Sequence, residues 1–197
     1  MSDSNASSMW KQRELARRPR LLIFDDGIDV NELGRFVENF KERGYDAVGV
    51  AVLDEFEEAQ FIKPDCTLDQ PALTAAITKA ESPAIRKRLE TLTKYTFAIS
   101  NLDQLPSLLQ QSRPDALLSD RDMSGTELED GHRIFAGLPE PYSKLPKAMH
   151  TGGEITADDQ ECAARGGYPL FSKRGADDKI DAYFRKALRD SQPPLPG

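Results

Sequence analysis

Ala116-Leu117-Leu118-Ser119-Asp120 is a short apolar run that stops on a carboxylate, and Leu21-Leu22-Ile23-Phe24-Asp25-Asp26-Gly27 has the same form. A bulky apolar run without polar alternation is the pattern of a strand covered on both faces, as in a parallel sheet. Outward from these two, Leu33, Phe36, Val37 and Phe40 fall at i, i+3, i+4 and i+7, one face of a helix that Gly44 closes. Val48 to Leu53 and Thr96 to Ile99 read as further strands, and Leu102, Leu105, Leu108 and Leu109 as a helix. Ile134, Phe135 and Leu138 mark a helix after Gly131, and Lys147-Ala148-Met149-His150 a strand ending at Thr151-Gly152-Gly153. Thr156 and Asp159 form a capping-box pair at the start of a short helix. Pro169-Leu170-Phe171-Ser172 is the last strand, ending at Lys173, and Ile180, Tyr183, Phe184, Ala187 and Leu188 make an amphipathic closing helix. Strands alternating with helices predict an α/β fold.

Composition fits one sizeable core. The chain has 197 residues, 39% of them apolar and 30% charged, with a net charge of −7, which excludes a disordered chain. The longest run free of polar residues, Ala47 to Leu53, is 7 residues, against roughly 20 for a membrane span, so no membrane role is expected. Cys66 and Cys162 lie far apart without metal-ligand spacing and read as reduced thiols, which suits a cytoplasmic protein. The acidic balance argues against a nucleic-acid partner. Residues 1–19 are read as a basic, partly disordered tail, 20–190 as the folded domain and 191–197 as a disordered Pro-rich tail. Between the strand candidates, Leu73, Ala76, Ile77 and Ala80 give one helical face and Ile85, Leu89 and Leu92 another, with Ser82-Pro83 as N-cap and first helical residue of the second. Those two faces must bury against the domain, a second copy or a partner.

In an open parallel sheet ligands bind beyond the carboxyl ends of the strands. Here the strand-terminating residues are Asp25, Asp26, Asp120, Thr151 and Lys173. Three carboxylates brought together repel unless a cation neutralises them, and an all-oxygen set with room for water suits Mg²⁺. A lysine and a hydroxyl beside them suit phosphoryl oxygens. Metal, carboxylate nucleophile and cationic clamp are the parts of phosphoryl transfer onto an aspartate.

At these residues the sequence resembles the receiver domain of two-component response regulators. The resemblance rests on Leu21 to Asp26, on Pro114-Asp115-Ala116-Leu117-Leu118-Ser119-Asp120-Arg121-Asp122-Met123-Ser124-Gly125, on Met149-His150-Thr151-Gly152 and on Phe171-Ser172-Lys173, in that order. It implies a doubly wound parallel five-stranded sheet of receiver/flavodoxin-like type, here with a helical insertion at about 54–94. It makes Asp120 the phospho-acceptor, with Asp25, Asp26, Asp120 and the backbone carbonyl of Asp122 holding Mg²⁺. Thr151 would bond the phosphoryl group and Lys173 pair with one of its oxygens. The implied role is phosphorelay signalling rather than enzymatic turnover: phosphorylation by a histidine kinase or a histidine phosphotransfer protein switches binding to a downstream protein target or to a second copy as a homodimer.

Four features depart from the family pattern. Arg174 stands where the family has proline, Leu170 stands at the usual aromatic or polar switch position, and the loop from Met123 to Gly131 is long and acidic. Asp26 and Asp120 are 94 residues apart, about twice the ordinary separation. These features also suit a degenerate receiver acting as a phosphorylation-independent binding module. A haloacid dehalogenase-like phosphohydrolase is the other alternative, although Asp25-Asp26-Gly27 lacks the second Asp at i+2 that its first motif needs. His150 is expected to be a strand histidine with a satisfied partner, and His132 a first-turn helix residue. Trp10, Phe36, Phe40, Tyr183 and Phe184 are assigned to packing.

Overall fold

The computed structural model describes residues 17–26, 30–53, 58–123, 129–173 and 175–191. Trp10, Arg174, most of the acidic loop and both tail ends lie outside them. β1 (Arg20–Asp25) leads into α1 (Val30–Glu42), which Gly44 ends at φ +96°, a backbone angle that favours glycine. β2 (Asp46–Val52) follows, then a short 3₁₀ turn, α2 (Gln70–Lys79), α3 (Pro83–Leu92) and β3 (Phe97–Ile99). Next come α4 (Leu105–Ser112), β4 (Ala116–Asp120), and a two-stranded ribbon of β5 (Asp122–Met123) and β6 (Glu129–Asp130). The chain closes with α5 (Gly131–Ala136), β7 (Lys147–Thr151), α6 (Ala157–Gly166), β8 (Leu170–Ser172) and α7 (Asp177–Asp190).

The main sheet is entirely parallel, in the order β3-β2-β1-β4-β7-β8. It has six strands where the resemblance implies five. The additional one is β3, which lies outside β2. Val48 to Leu53 is therefore the strand next to β1, and Thr96 to Ile99 supplies the edge.

Alternation along each strand builds two cores, one on each side. Leu21, Ile23, Ala116, Leu118 and Ala148 face α1, α7 and the α2–α3 hairpin, where Leu33, Phe40, Leu73, Leu92, Ile180 and Phe184 are buried. Leu22, Phe24, Leu117 and Met149 face α4, α5 and α6 over Leu105, Leu108, Ile134, Phe135 and Ala163. Helices on both faces explain why these strands read as continuous apolar runs. Leu73 of the first helical face and Leu89 and Leu92 of the second bury against the parent domain, in the same cluster as the sheet residues, while Ile85 of the second face stays 53% exposed.

The insertion also covers the sheet edge. Leu68 N–H donates to the Thr96 carbonyl and Ala98 N–H to the Cys66 carbonyl, so residues 66–68 lie antiparallel along β3. Unpaired edge groups that could recruit another chain are thereby satisfied. Asp69 caps α2 through the Ala72 N–H. Ser82 stands at the N-cap of α3 with Pro83 first in the helix, but its side chain makes no capping bond. No helix among the described residues is long and apolar enough to cross a membrane.

Candidate functional site

The strand order reverses between β1 and β4, because the chain runs outward from β1 to β2 and β3 and then returns to β4. A crevice at the carboxyl ends of strands belongs at such a switch point. Phe24 pairs with Ser119 across it, so the next residues, Asp25 and Asp120, are neighbours in register and share the face opposite to Phe24 and Ser119. Both are 5% exposed. Asp26, the residue after β1, is partly buried.

Asp120 is held from two sides. Lys173, immediately after β8, reaches past β7 and places its Nζ 2.7 Å from Asp120 Oδ2, while the Asp122 N–H approaches Oδ1 at 3.4 Å. Burial raises the Asp120 carboxyl above the usual carboxylate range, and Lys173 pulls it back only in part. The helix after it is forced close: Gly131 N–H donates to the Arg121 carbonyl at 2.8 Å, and a Cβ at Gly131 would lie 2.0 Å from the Asp120 carbonyl oxygen. Only glycine fits there without moving backbone.

Thr151 ends β7 and is fully buried. Its Oγ1 donates to Asp122 Oδ2 at 2.9 Å and accepts from the Gly153 N–H at 3.0 Å. Between Asp120 and Lys173, on β7, lies His150, paired in register with Asp120. It stacks on Phe36 of α1, with centroids 4.8 Å apart and planes 9° apart. Both its ring nitrogens are buried and find no hydrogen-bond partner among the described residues, contrary to the satisfied strand histidine expected from sequence. Burial, with Lys173 nearby, lowers its pKa to about 3, so the ring is neutral at ordinary pH.

The parallel order β3-β2-β1-β4-β7-β8 with helices on both faces is an arrangement that solved proteins share. The fold is that of a signal receiver domain. Two solved receivers superpose on it. One is the signal receiver domain of a modulated diguanylate cyclase from Desulfovibrio desulfuricans G20, described as an example of alternate folding, at 17% identity and a TM-score of 0.51, covering 88% of this chain and 96% of that one. The other is the signal receiver domain of an HD domain-containing protein from Pseudomonas fluorescens Pf-5, at 16% identity and a TM-score of 0.52, covering 88% and 97%. No protein-family model and no curated protein sequence matches the chain.

The fold brings Asp120 and Lys173 into contact and sets Asp25 beside Asp120 in register. Among the described residues, no group of three or more His, Cys, Asp or Glu side chains is gathered closely enough to hold a metal on its own. Mg²⁺ keeps several waters and takes one or two carboxylates, and the buried pair Asp25 and Asp120 fits that demand.

Three participants were not singled out from sequence. Arg121 forks onto Asp122, with Nε 2.9 Å from Oδ1, and its Nη1 reaches Asp159 Oδ2 at 2.6 Å and the Glu154 carbonyl at 2.7 Å. The run Asp120-Arg121-Asp122 carried that signal, a cation between two acids. Asp159 completes the capping box that its spacing from Thr156 predicts, and the same carboxylate also holds Arg121. Gly131 was read only as the residue before a helix.

Proposed function

We propose that the chain is the phospho-accepting receiver of a cytoplasmic two-component phosphorelay. The observation that carries this reading is the pair of Asp120 and Lys173: a carboxylate 5% exposed at the sheet's switch point, whose Oδ2 meets an ammonium from a strand two places away. A carboxylate oxygen of Asp120 attacks the phosphorus of a phosphohistidine on a histidine kinase or phosphotransfer protein. A P–O bond forms, the P–N bond breaks, and the imidazole leaves with the electron pair. Mg²⁺ held by the Asp25 and Asp120 carboxylates and the Asp122 carbonyl, with water as the rest of its shell, would neutralise charge on the phosphoryl oxygens. Lys173 then turns from the carboxylate to a phosphoryl oxygen, and Thr151 supplies a hydroxyl donor. The chain acts as a signalling domain rather than through turnover, and the phosphorylated form changes its binding to a downstream protein.

The test is incubation with acetyl phosphate and Mg²⁺, followed by mapping of the modified residue by mass spectrometry. Wild type should gain one phosphoryl group on Asp120, and Asp120→Asn none. Equal labelling of the Asn variant removes Asp120 from the mechanism, transfer to Asp25 favours the phosphohydrolase alternative, and no labelling of wild type leaves the binding module.

A further inference from the structure

If Thr151 responds to phosphorylation, its state must be carried to the surface, and Leu170 of β8 supplies no polar group for that. Leu170 packs against the apolar cluster on the α4–α5–α6 side of the sheet. The polar route leads the other way. The Thr151 hydroxyl donates to Asp122 Oδ2 at 2.9 Å and accepts from Gly153 N–H at 3.0 Å, so both its hydrogen-bonding roles are filled. Asp122 is clamped by the Arg121 guanidinium, Nε to Oδ1 at 2.9 Å and Nη2 to Oδ2 at 3.1 Å. The same guanidinium, 16% exposed in its side chain, fastens the start of α6 through the Glu154 carbonyl at 2.7 Å and Asp159 Oδ2 at 2.6 Å. That Asp159 oxygen also accepts from the Thr156 N–H and hydroxyl, both at 2.8 Å, and so holds the capping box of α6 together.

We propose that Asp122 and Arg121 form a latch: Asp122 competes with the phosphoryl group for the Thr151 hydroxyl, and surrender of that hydroxyl loosens the hold of Arg121 on the N-terminus of α6. The inference rests on the reading of Asp120 as phospho-acceptor. Thr151 has one proton to donate, and it cannot be given to Asp122 and to a phosphoryl oxygen at once. When it leaves, Asp122 loses the fully buried donor, the guanidinium fork is what still restrains the half-exposed carboxylate among the described residues, and the two contacts to residues 154 and 159 are no longer pinned from the Thr151 side. Arg121 and Asp122 are positioning residues in this scheme, and the surface they control is the start of α6.

The experiment is amide hydrogen exchange read by mass spectrometry over residues 153–160 of the full chain. In its first arm, without any phosphoryl mimic, Thr151→Val should speed exchange there about fivefold. Thr151→Ser, which keeps the hydroxyl, should restore the wild-type rate. Thr151→Val should add nothing once Asp122→Ala is present. An unchanged rate in Thr151→Val, or an equal effect in both backgrounds, overturns the latch whatever happens at Asp120. In the second arm, Mg²⁺ and beryllofluoride as the phosphoryl mimic should speed the same segment in wild type. The Asp122→Ala variant should bind the mimic several-fold more tightly and show no further acceleration. Mimic binding by wild type without any change over 153–160, or weaker binding by Asp122→Ala, also overturns it. Equal binding of the mimic by Asp120→Asn instead defeats the phospho-acceptor reading and removes the trigger, while the coupling stands or falls on the first arm.

Discussion

The two halves of the sheet end differently. β4, β7 and the segment after β8 end in Asp120, Thr151 and Lys173, whose polar atoms are joined to one another or to Asp122. The β2–β3 half is wrapped by the α2–α3 hairpin, with Leu73 and Leu92 buried on one face and residues 66–68 bonded along the edge. The same α/β alternation therefore serves two ends. Where polar groups meet at the switch point, the fold holds charge out of water and pairs it. Where the inserted segment lies, it supplies apolar area and closes an edge. Perturbing the first half should change chemistry and pH response together, and perturbing the second should change stability alone.

The largest effect is expected at Lys173. Removing one partner of a buried ion pair leaves the other charge uncompensated, which costs about 3–5 kcal/mol. Lys173→Met should lose about that much in urea denaturation at neutral pH. The sign of the pH dependence follows from Asp120, whose carboxyl already titrates above its usual value and would rise further without the ammonium. Protonation then favours the folded state, so the deficit is full at neutral pH and shrinks as pH falls through the raised range. The double variant Lys173→Met/Asp120→Asn should recover most of the loss. A deficit below about 0.5 kcal/mol, as for a surface residue, would put the pair outside the stabilising framework.

Next in size is Leu92, 1% exposed in the insertion. Leu92→Ala should cost about 2–5 kcal/mol from lost burial and the cavity left behind. Phosphoryl labelling of Asp120 in the folded fraction should be unchanged. Loss of labelling with stability intact would tie the insertion to the site and erase the contrast between the two halves.

Much of this division was legible in the chain itself. Runs such as Leu21 to Phe24 and Ala116 to Leu118 announce central strands because they are apolar on both faces, and the residue that stops each run marks the sheet's end. The place of β3 was not legible, since an edge strand of three residues carries almost no periodic signal. Nor was the cover along it: residues 66–68 are held in place by a turn with Cys66 at φ +63°, and no glycine or asparagine flags that conformation. At the site, residue types at strand ends pointed to Asp120, Thr151 and Lys173, whereas Arg121 was hidden because its partner Asp159 lies 38 positions away on α6.

The smallest effect at neutral pH, and the sharpest in acid, belongs to His150. Its ring is neutral and stacked on Phe36, and neither nitrogen has a partner among the described residues, so an apolar replacement forfeits no hydrogen bond seen there. His150→Leu should therefore be within about 1 kcal/mol of wild type at pH 7. In the folded state burial, with Lys173 nearby, lowers the His150 pKa to about 3, against roughly 6.5 in an unfolded chain. A lowered value means that the fold prefers the neutral ring. The contribution is complete above about pH 6.5 and is lost as pH falls toward 3, at up to about 1.4 kcal/mol per pH unit. Asp159 responds in a separate, more acid window: burial pushes its carboxyl up, but Thr156 and Arg121 together outweigh this and lower it from 3.8 to about 2. Urea denaturation at pH 7, 5.5 and 4.5 separates the two, because the His150 window opens near pH 6.5, well above that of Asp159, and the His150→Leu difference isolates the imidazole from the raised Asp120 carboxyl. His150→Leu should flatten the wild-type slope between pH 6.5 and 4.5 and leave the steeper loss below pH 4 in place. An unaltered slope would mean that the imidazole takes up its proton in the folded protein too, and that the space between Asp120 and Lys173 is open to water.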